Sequence, residues 1–122
     1  MGGFDRHLSQ IQLLSGGGGK CKARLEIIKD YQNVGGTLHG GFTATLIDSV
    51  STLALMTSEK GAPGTSVDLK VSYLSSVKIK DTILIEADTL KVGRNLAFLA
   101  VQIKNEKSGK LVATGEHIKF VG

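Results

Sequence analysis

The chain holds one cysteine, Cys21, and no tryptophan. A single thiol excludes an internal disulfide framework and fits a reducing compartment. A cytoplasmic protein is therefore expected, with the mitochondrion as the alternative. Cys21 itself reads as a small strand residue. Aromatic residues make up only 5% of the chain. Basic residues without stacking partners argue against nucleic acid. The net charge of +4 and pI near 9.3 suit an anionic small molecule better. Near the start, Asp5, Arg6 and His7 interrupt any apolar core of a signal peptide. Arg6 also stands where a myristoylation signal needs Ser or Thr. The apolar run 42–57 is too short and too rich in Ser, Thr and Asp to insert in a bilayer. The histidines are His7, His39 and His117, and no two share metal-ligand spacing. Neither a metal nor a cofactor is expected.

Charge is also missing from one long stretch. Between Asp30 and Glu59 the only Lys, Arg, Asp or Glu is Asp48. A lone carboxylate on an apolar helix is costly unless paired or hydrogen-bonded. Such groups persist mainly where they do chemistry or complete a polar network. Asp48 is thus the leading candidate for a catalytic residue.

What is present organises into a single domain over residues 1–122. Residues 4–14 alternate poorly and read as a short helix or turn. Gly16-Gly17-Gly18-Gly19 then breaks the backbone and reads as a flexible lead-in. Cys21, Ala23, Leu25 and Ile27 alternate with Lys22, Arg24 and Glu26, the period of a half-buried strand. A polar, glycine-containing loop covers 30–37. A helix is expected from Gly40 to Ser58, small or apolar nearly all round and therefore enclosed. Gly61-Ala62-Pro63-Gly64 ends it. Strands follow at 66–73, 82–90, 96–104 and 110–120, with glycine-bearing turns between the last three. In the first, Val67, Leu69, Val71 and Tyr73 alternate against Asp68, Lys70 and Ser72. The order is strand, long helix, then four strands in a meander. A five-stranded antiparallel sheet buries such a helix only by wrapping around it. This predicts an α+β chain with the hotdog fold: an antiparallel β-sheet around one long central helix.

Gly40 and Gly41 stand at the helix start, where unpaired N–H groups and a partial positive charge can hold an anion or a developing oxyanion. A plain steric need for glycine explains them equally well. Asp48 lies eight residues further on, about 12 Å along the helix. Gly40 and Asp48 of one chain therefore cannot both touch one carbonyl group. A twofold-related, antiparallel partner helix would bring Asp48 of one copy level with Gly40 of the other, past the small Thr43, Ala44 and Thr45. If both act together, the minimal unit is a dimer.

The string Asn33-Val34-Gly35-Gly36-Thr37-Leu38-His39-Gly40-Gly41-Phe42-Thr43-Ala44-Thr45-Leu46-Ile47-Asp48 resembles the active-site segment of hotdog-fold acyl-CoA thioesterases. The resemblance continues through 61–68, Leu96-Ala97-Phe98 and Thr114-Gly115-Glu116-His117, and covers about residues 4–120. It implies that Asp48 is the catalytic carboxylate, activating or orienting water. It implies that Gly40 is the backbone donor that polarises the thioester carbonyl, and that Asn33 and Ser66 position the thioester and the attacking water. His39 matches the motif histidine, with helix-start packing as its main role. The resemblance implies an acyl-CoA substrate contacted by His39, Tyr73, Leu74, Ser75, Lys78, Lys91, Gly93 and Arg94, and a homodimer that assembles into a homotetramer. Lys78, Lys91, Arg94 and Lys119 lie near strand ends, where they meet coenzyme A phosphates or simply face water. Ser66 has no histidine that the sequence assigns to it, so a Ser-His-Asp triad is unsupported. Phe120, and Val77 without a preceding proline, depart from the family pattern. Two other functions compete: a hydratase or dehydratase acting on acyl thioesters, and a non-catalytic acyl-CoA sensor.

Overall fold

The structure, a computed structural model, describes residues 11–28, 40–59, 61–78 and 80–122. Strand β1 (Gln12–Gly17) and β2 (Lys20–Glu26) precede helix α1 (Gly40–Met56), and β3 (Thr65–Tyr73), β4 (Thr82–Val92), β5 (Leu96–Asn105) and β6 (Leu111–Phe120) follow it. All strand pairs are antiparallel, in the spatial order β1-β2-β4-β5-β6-β3. The expected hotdog arrangement of one sheet and one long helix is present.

Three expectations are corrected. The sheet has six strands, because β1 lies where a helix or turn was expected. All six of its residues are exposed, so no alternation marks it; main-chain pairing to β2 holds it. The glycine run ends β1 and makes the tight turn into β2, with Gly18 and Gly19 at φ 60° and 83°. L-residues with a side chain pay for that conformation, and glycine does not. The last four strands are not a meander either. Only β4, β5 and β6 are; β3 pairs with β6 at the far edge. The chain returns from β3 to the middle of the sheet through 74–81, held by Leu74 and Ser75 N–H on the Val112 carbonyl and by Lys80 N–H on Ile27. Val77 is buried in the core on that path.

The core follows the period-2 pattern closely. Cys21, Ala23, Leu25 and Ile27 are buried, as are Ile83, Ile85 and Ala87 of β4 and Ala97, Leu99, Val101 and Ile103 of β5. Burial pushes the Cys21 thiol pKa up, which keeps it an inert packing group. The helix buries one face, with Phe42, Leu46, Ile47, Val50, Ala54 and Leu55 against the sheet. Its other face is open in the single chain, with Leu53 and Met56 exposed. The enclosed helix expected from the sequence is thus half enclosed, because one curved sheet covers one side only. At Gly115 of β6 the helix comes so close that a Cβ would meet Ile47 Cγ2 at 2.5 Å. That contact sets the level at which the next helical residue, Asp48, meets β6.

Candidate active site

Strand β6 presents Ala113, Gly115, His117 and Lys119 to the helix side, all buried. The first two are small and admit α1. The last two are polar, and they meet the helix where it carries Asp48, Ser51 and Thr52. Ser51 Oγ lies 2.8 Å from His117 Nδ1 and donates to the Asp48 carbonyl at 3.1 Å. On the other side of the ring, Ser66 Oγ lies 2.8 Å from His117 Nε2. Asp48 Oδ1 is 3.9 Å from the same nitrogen. Thr52 Oγ1 donates to Asp48 Oδ1 at 3.4 Å, and Lys119 Nζ donates to Thr52 Oγ1 at 2.7 Å.

Ser66 reaches this cluster through a defect in β3. Its register breaks between Ser66 and Asp68. Ser66 pairs with Lys119 and Asp68 with Ile118, so two residues on β6 oppose three on β3. The bulge at Val67 reverses the alternation. It turns Ser66 to the helix side together with Leu69 and Val71, while Val67 stays exposed.

Both ring nitrogens face hydroxyl groups, which can give or take a proton, so either neutral tautomer fits the contacts; the Ser51 bond to the Asp48 carbonyl favours one of them. In that tautomer the Ser51 oxygen accepts from His117 Nδ1–H, and Nε2 is left to accept the Ser66 proton. Burial pushes the His117 pKa down, opposed by the charge of Asp48, assisted by Lys119 and opposed again by Asp68. The neutral imidazole in that tautomer holds Ser66 with its oxygen lone pairs turned to other donors. The expectation that Ser66 lacks a histidine partner is overturned. The set is still no Ser-His-Asp triad. A triad carboxylate holds the nitrogen remote from the serine; here Ser51 takes that nitrogen and Asp48 sits on the Ser66 side.

Asp48, Thr52, Ser66 and Lys119 of this cluster edge an open cavity of about 490 Å³, together with Ser49, Leu53, Pro63 and Gly64. The Asp48 side chain is 49% exposed. It stands at the rim of the open helix face and not on an enclosed helix, which corrects the sequence reading of its surroundings. Lys119 also departs from expectation. It lies next to last in β6, near the strand end as expected, but its side chain is buried at 4% exposure against the helix. Burial pushes its pKa down, opposed by Asp48.

The remaining candidates spread over the molecule. Gly40 is the first residue of α1, so its N–H has no acceptor within the helix. Asn33 and His39 lie outside the described residues. Tyr73, Leu74 and Ser75 lie at the far end of β3 from Ser66, about 23 Å along an extended strand. Tyr73 and Leu74 are exposed, and Ser75 Oγ donates to the Leu111 carbonyl. The Lys78 main chain closes a turn on Asp81. Lys91 is exposed at the end of β4, and Gly93 and Arg94 form its turn into β5. Among the described residues, none of these candidates lines the Asp48 cavity. Residue types alone did not reveal Ser51, Thr52 and His117. The signal for His117 was its place on the same β6 face as Ala113 and Gly115.

Residues 35–112 match the family model described as Thioesterase superfamily. The chain belongs to the thioesterase superfamily. It is 48% identical over 120 residues to acyl-coenzyme A thioesterase 13 of Mus musculus, covering 98% of this chain and 86% of the relative. The solved zebrafish thioesterase superfamily member 2 superposes with a TM-score of 0.96 at 49% identity, over 100% of this chain and 88% of that one. A more distant structure, smu.793 of Streptococcus mutans UA159 bound to acetyl CoA, superposes at 0.82 with 25% identity, over 92% and 89%. Membership of this superfamily makes the chain a thioester hydrolase. The observed cluster places a carboxylate, Asp48, and a hydroxyl held by His117, that of Ser66, beside one open cavity.

Proposed function

We propose that this thioesterase hydrolyses fatty acyl-CoA to a free fatty acid and coenzyme A. The observation that carries the reading is the convergence of Asp48 and Ser66 on one open cavity, with Ser66 held by His117. Asp48 takes a proton from water, whose oxygen attacks the thioester carbonyl. Ser66 orients that water through its free lone pairs. The N–H groups at the helix start, Gly40 first, stabilise the oxyanion. Collapse of the intermediate breaks the C–S bond, and the proton on Asp48 passes to the departing thiolate. Leu53 and Pro63 supply apolar wall for the acyl chain.

Gly40 lies about 12 Å along α1 from Asp48, so the reading requires a dimer in which one protomer gives Asp48 and Ser66 and its partner gives Gly40 and Asn33. The open helix face suits that pairing, and two such dimers form the tetramer. Lys78, Lys91 and Arg94 are exposed and are the candidates for the phosphates of coenzyme A; Tyr73, Leu74, Ser75, Gly93 and His39 complete the proposed substrate contacts. The names of the relatives support the substrate class: acyl-coenzyme A in one, bound acetyl CoA in another. The single buried thiol suits the cytoplasm.

The test is release of free thiol from acyl-CoA by the wild type and by Asp48→Asn. The wild type is expected to turn over. The variant is expected to keep the fold and lose on the order of 10²–10⁴ in rate, the usual contribution of a general base. Saturable acyl-CoA binding with no thiol released by the wild type would mark a sensor instead. Full activity in folded Asp48→Asn would remove Asp48 from the mechanism.

A further inference from the structure

Lys119 is the buried group for which the hydrolysis just described has no use. Its ammonium carries only donors. At 2.7 Å from Thr52 Oγ1 it obliges that oxygen to accept. The single hydroxyl proton of Thr52 must then point elsewhere, and the side-chain oxygen within reach is Asp48 Oδ1 at 3.4 Å. Thr52 stands four residues after Asp48, on the same stripe of the helix. Asp48 is half exposed, and a carboxylate at a cavity rim has rotational freedom that packing does not remove. A directed hydrogen bond removes it.

We infer that Lys119 and Thr52 form a one-way hydrogen-bond relay that aims the Asp48 carboxylate at the attacking water, and are positioning residues for the reaction. A merely structural lysine would cost less elsewhere. An ammonium at 4% exposure gives up hydration that one hydroxyl does not replace, and its depressed pKa reflects that cost. The two preceding helix-facing positions of β6, Gly115 and His117, pack against Ile47 and Ser51. Lys119 extends the series by one step, to the residue that touches Asp48. The relay sets geometry and not binding, so it acts on kcat.

The inference rests on the hydrolase reading, and the experiment separates the two. Thiol release is measured for wild type, Thr52→Val, Thr52→Ser, Lys119→Met and the Thr52→Val/Lys119→Met double variant, with folding checked by circular dichroism. Thr52→Val, nearly isosteric, and Lys119→Met are each expected to lower kcat about tenfold, with KM within about twofold. Thr52→Ser keeps the hydroxyl and is expected to restore most of the rate. The double variant is expected to be no slower than the slower single one, because a relay broken once is broken. Wild-type kcat in folded Thr52→Val, a change confined to KM, or losses that multiply in the double variant would each overturn the relay. If Lys119→Met does not fold, the Thr52 pair decides alone. A wild type that releases no thiol would overturn the hydrolase reading itself.

Discussion

Gly115→Ala tests how the packing of α1 on β6 sets the position of the carboxylate. A Cβ built at Gly115 lies 2.5 Å from Ile47 Cγ2, 3.1 Å from Cδ1 and 3.4 Å from Cγ1. Ile47 is fully buried and the neighbouring Gly115 strand is in the middle of a paired sheet, so neither retreats freely. Overpacking of this kind costs about 1–3 kcal/mol. For a domain of this size each kcal/mol corresponds to roughly 3–6 °C in Tm. The helix must also move outward, and Asp48 is the next residue. A displacement of about 1 Å is enough to cost on the order of 10²-fold in rate when it falls at the reacting centre. The assay pairs thermal unfolding with thiol release. Ile47→Ala supplies the control, because it removes Cγ2 and the rest of the clashing branch. Alone it leaves a cavity and costs about 2–5 kcal/mol. Combined with Gly115→Ala, the new methyl group fills part of that cavity, and the double variant is expected to be no less stable than Ile47→Ala alone. Losses that add in the double variant, or a Gly115→Ala protein with unchanged Tm and kcat, would refute the close-packing argument.

The shared-site reading makes complementation the next expectation. Asp48→Asn and Gly40→Pro are each expected to be inactive, and proline is compatible with the first helical turn. In a heterodimer one site receives both lesions and the other receives none, so co-expression should restore up to about half the activity per heterodimer; no rescue among proven, folded heterodimers would mean that each site is built within one chain. The pH dependence of stability supplies a third expectation. Burial lowers the His117 pKa in the folded chain, so the unfolded chain binds the proton first as pH falls below about 6.5. Stability is then fully present above that value and is lost on the way down to the lower folded pKa, by at most about 1.4 kcal/mol per pH unit. Urea unfolding between pH 7.5 and 4.5 should show this slope in the wild type and a shallower one in His117→Gln; equal slopes would count against it. Asp48→Asn, whose side chain is half exposed, should leave the urea midpoint nearly unchanged while thiol release collapses.

The local pattern of the chain carried much of the fold. Alternation in 21–27 named the buried face of β2 residue by residue, because one face of a strand meets the core and the other meets water. Strand β1 escaped because it is an exposed edge, where nothing forces side chains to alternate. The place of β3 escaped because short turns identify neighbours only for strands joined by them; β3 is joined to β4 by 74–81, long enough to cross the core.

The same division runs through the site. By itself the sequence determined that Asp48 is the lone carboxylate of an uncharged helix, that Gly40 begins that helix, and that about two turns separate them. Those are properties of composition and of helical rise, and they do not depend on what packs nearby. Only the tertiary structure decided what surrounds Asp48. A strict period of two puts Ser66 on the face opposite Leu69 and Val71; one extra residue at Val67 reverses it. His117 becomes the partner of Ser66 because β3 pairs with β6, 51 positions away in sequence. Lys119 turns from an expected surface charge into a buried donor because α1 lies over that end of β6. Each of these outcomes depends on strand register, and register is set by how the whole sheet closes on its core, which no short stretch of residues encodes.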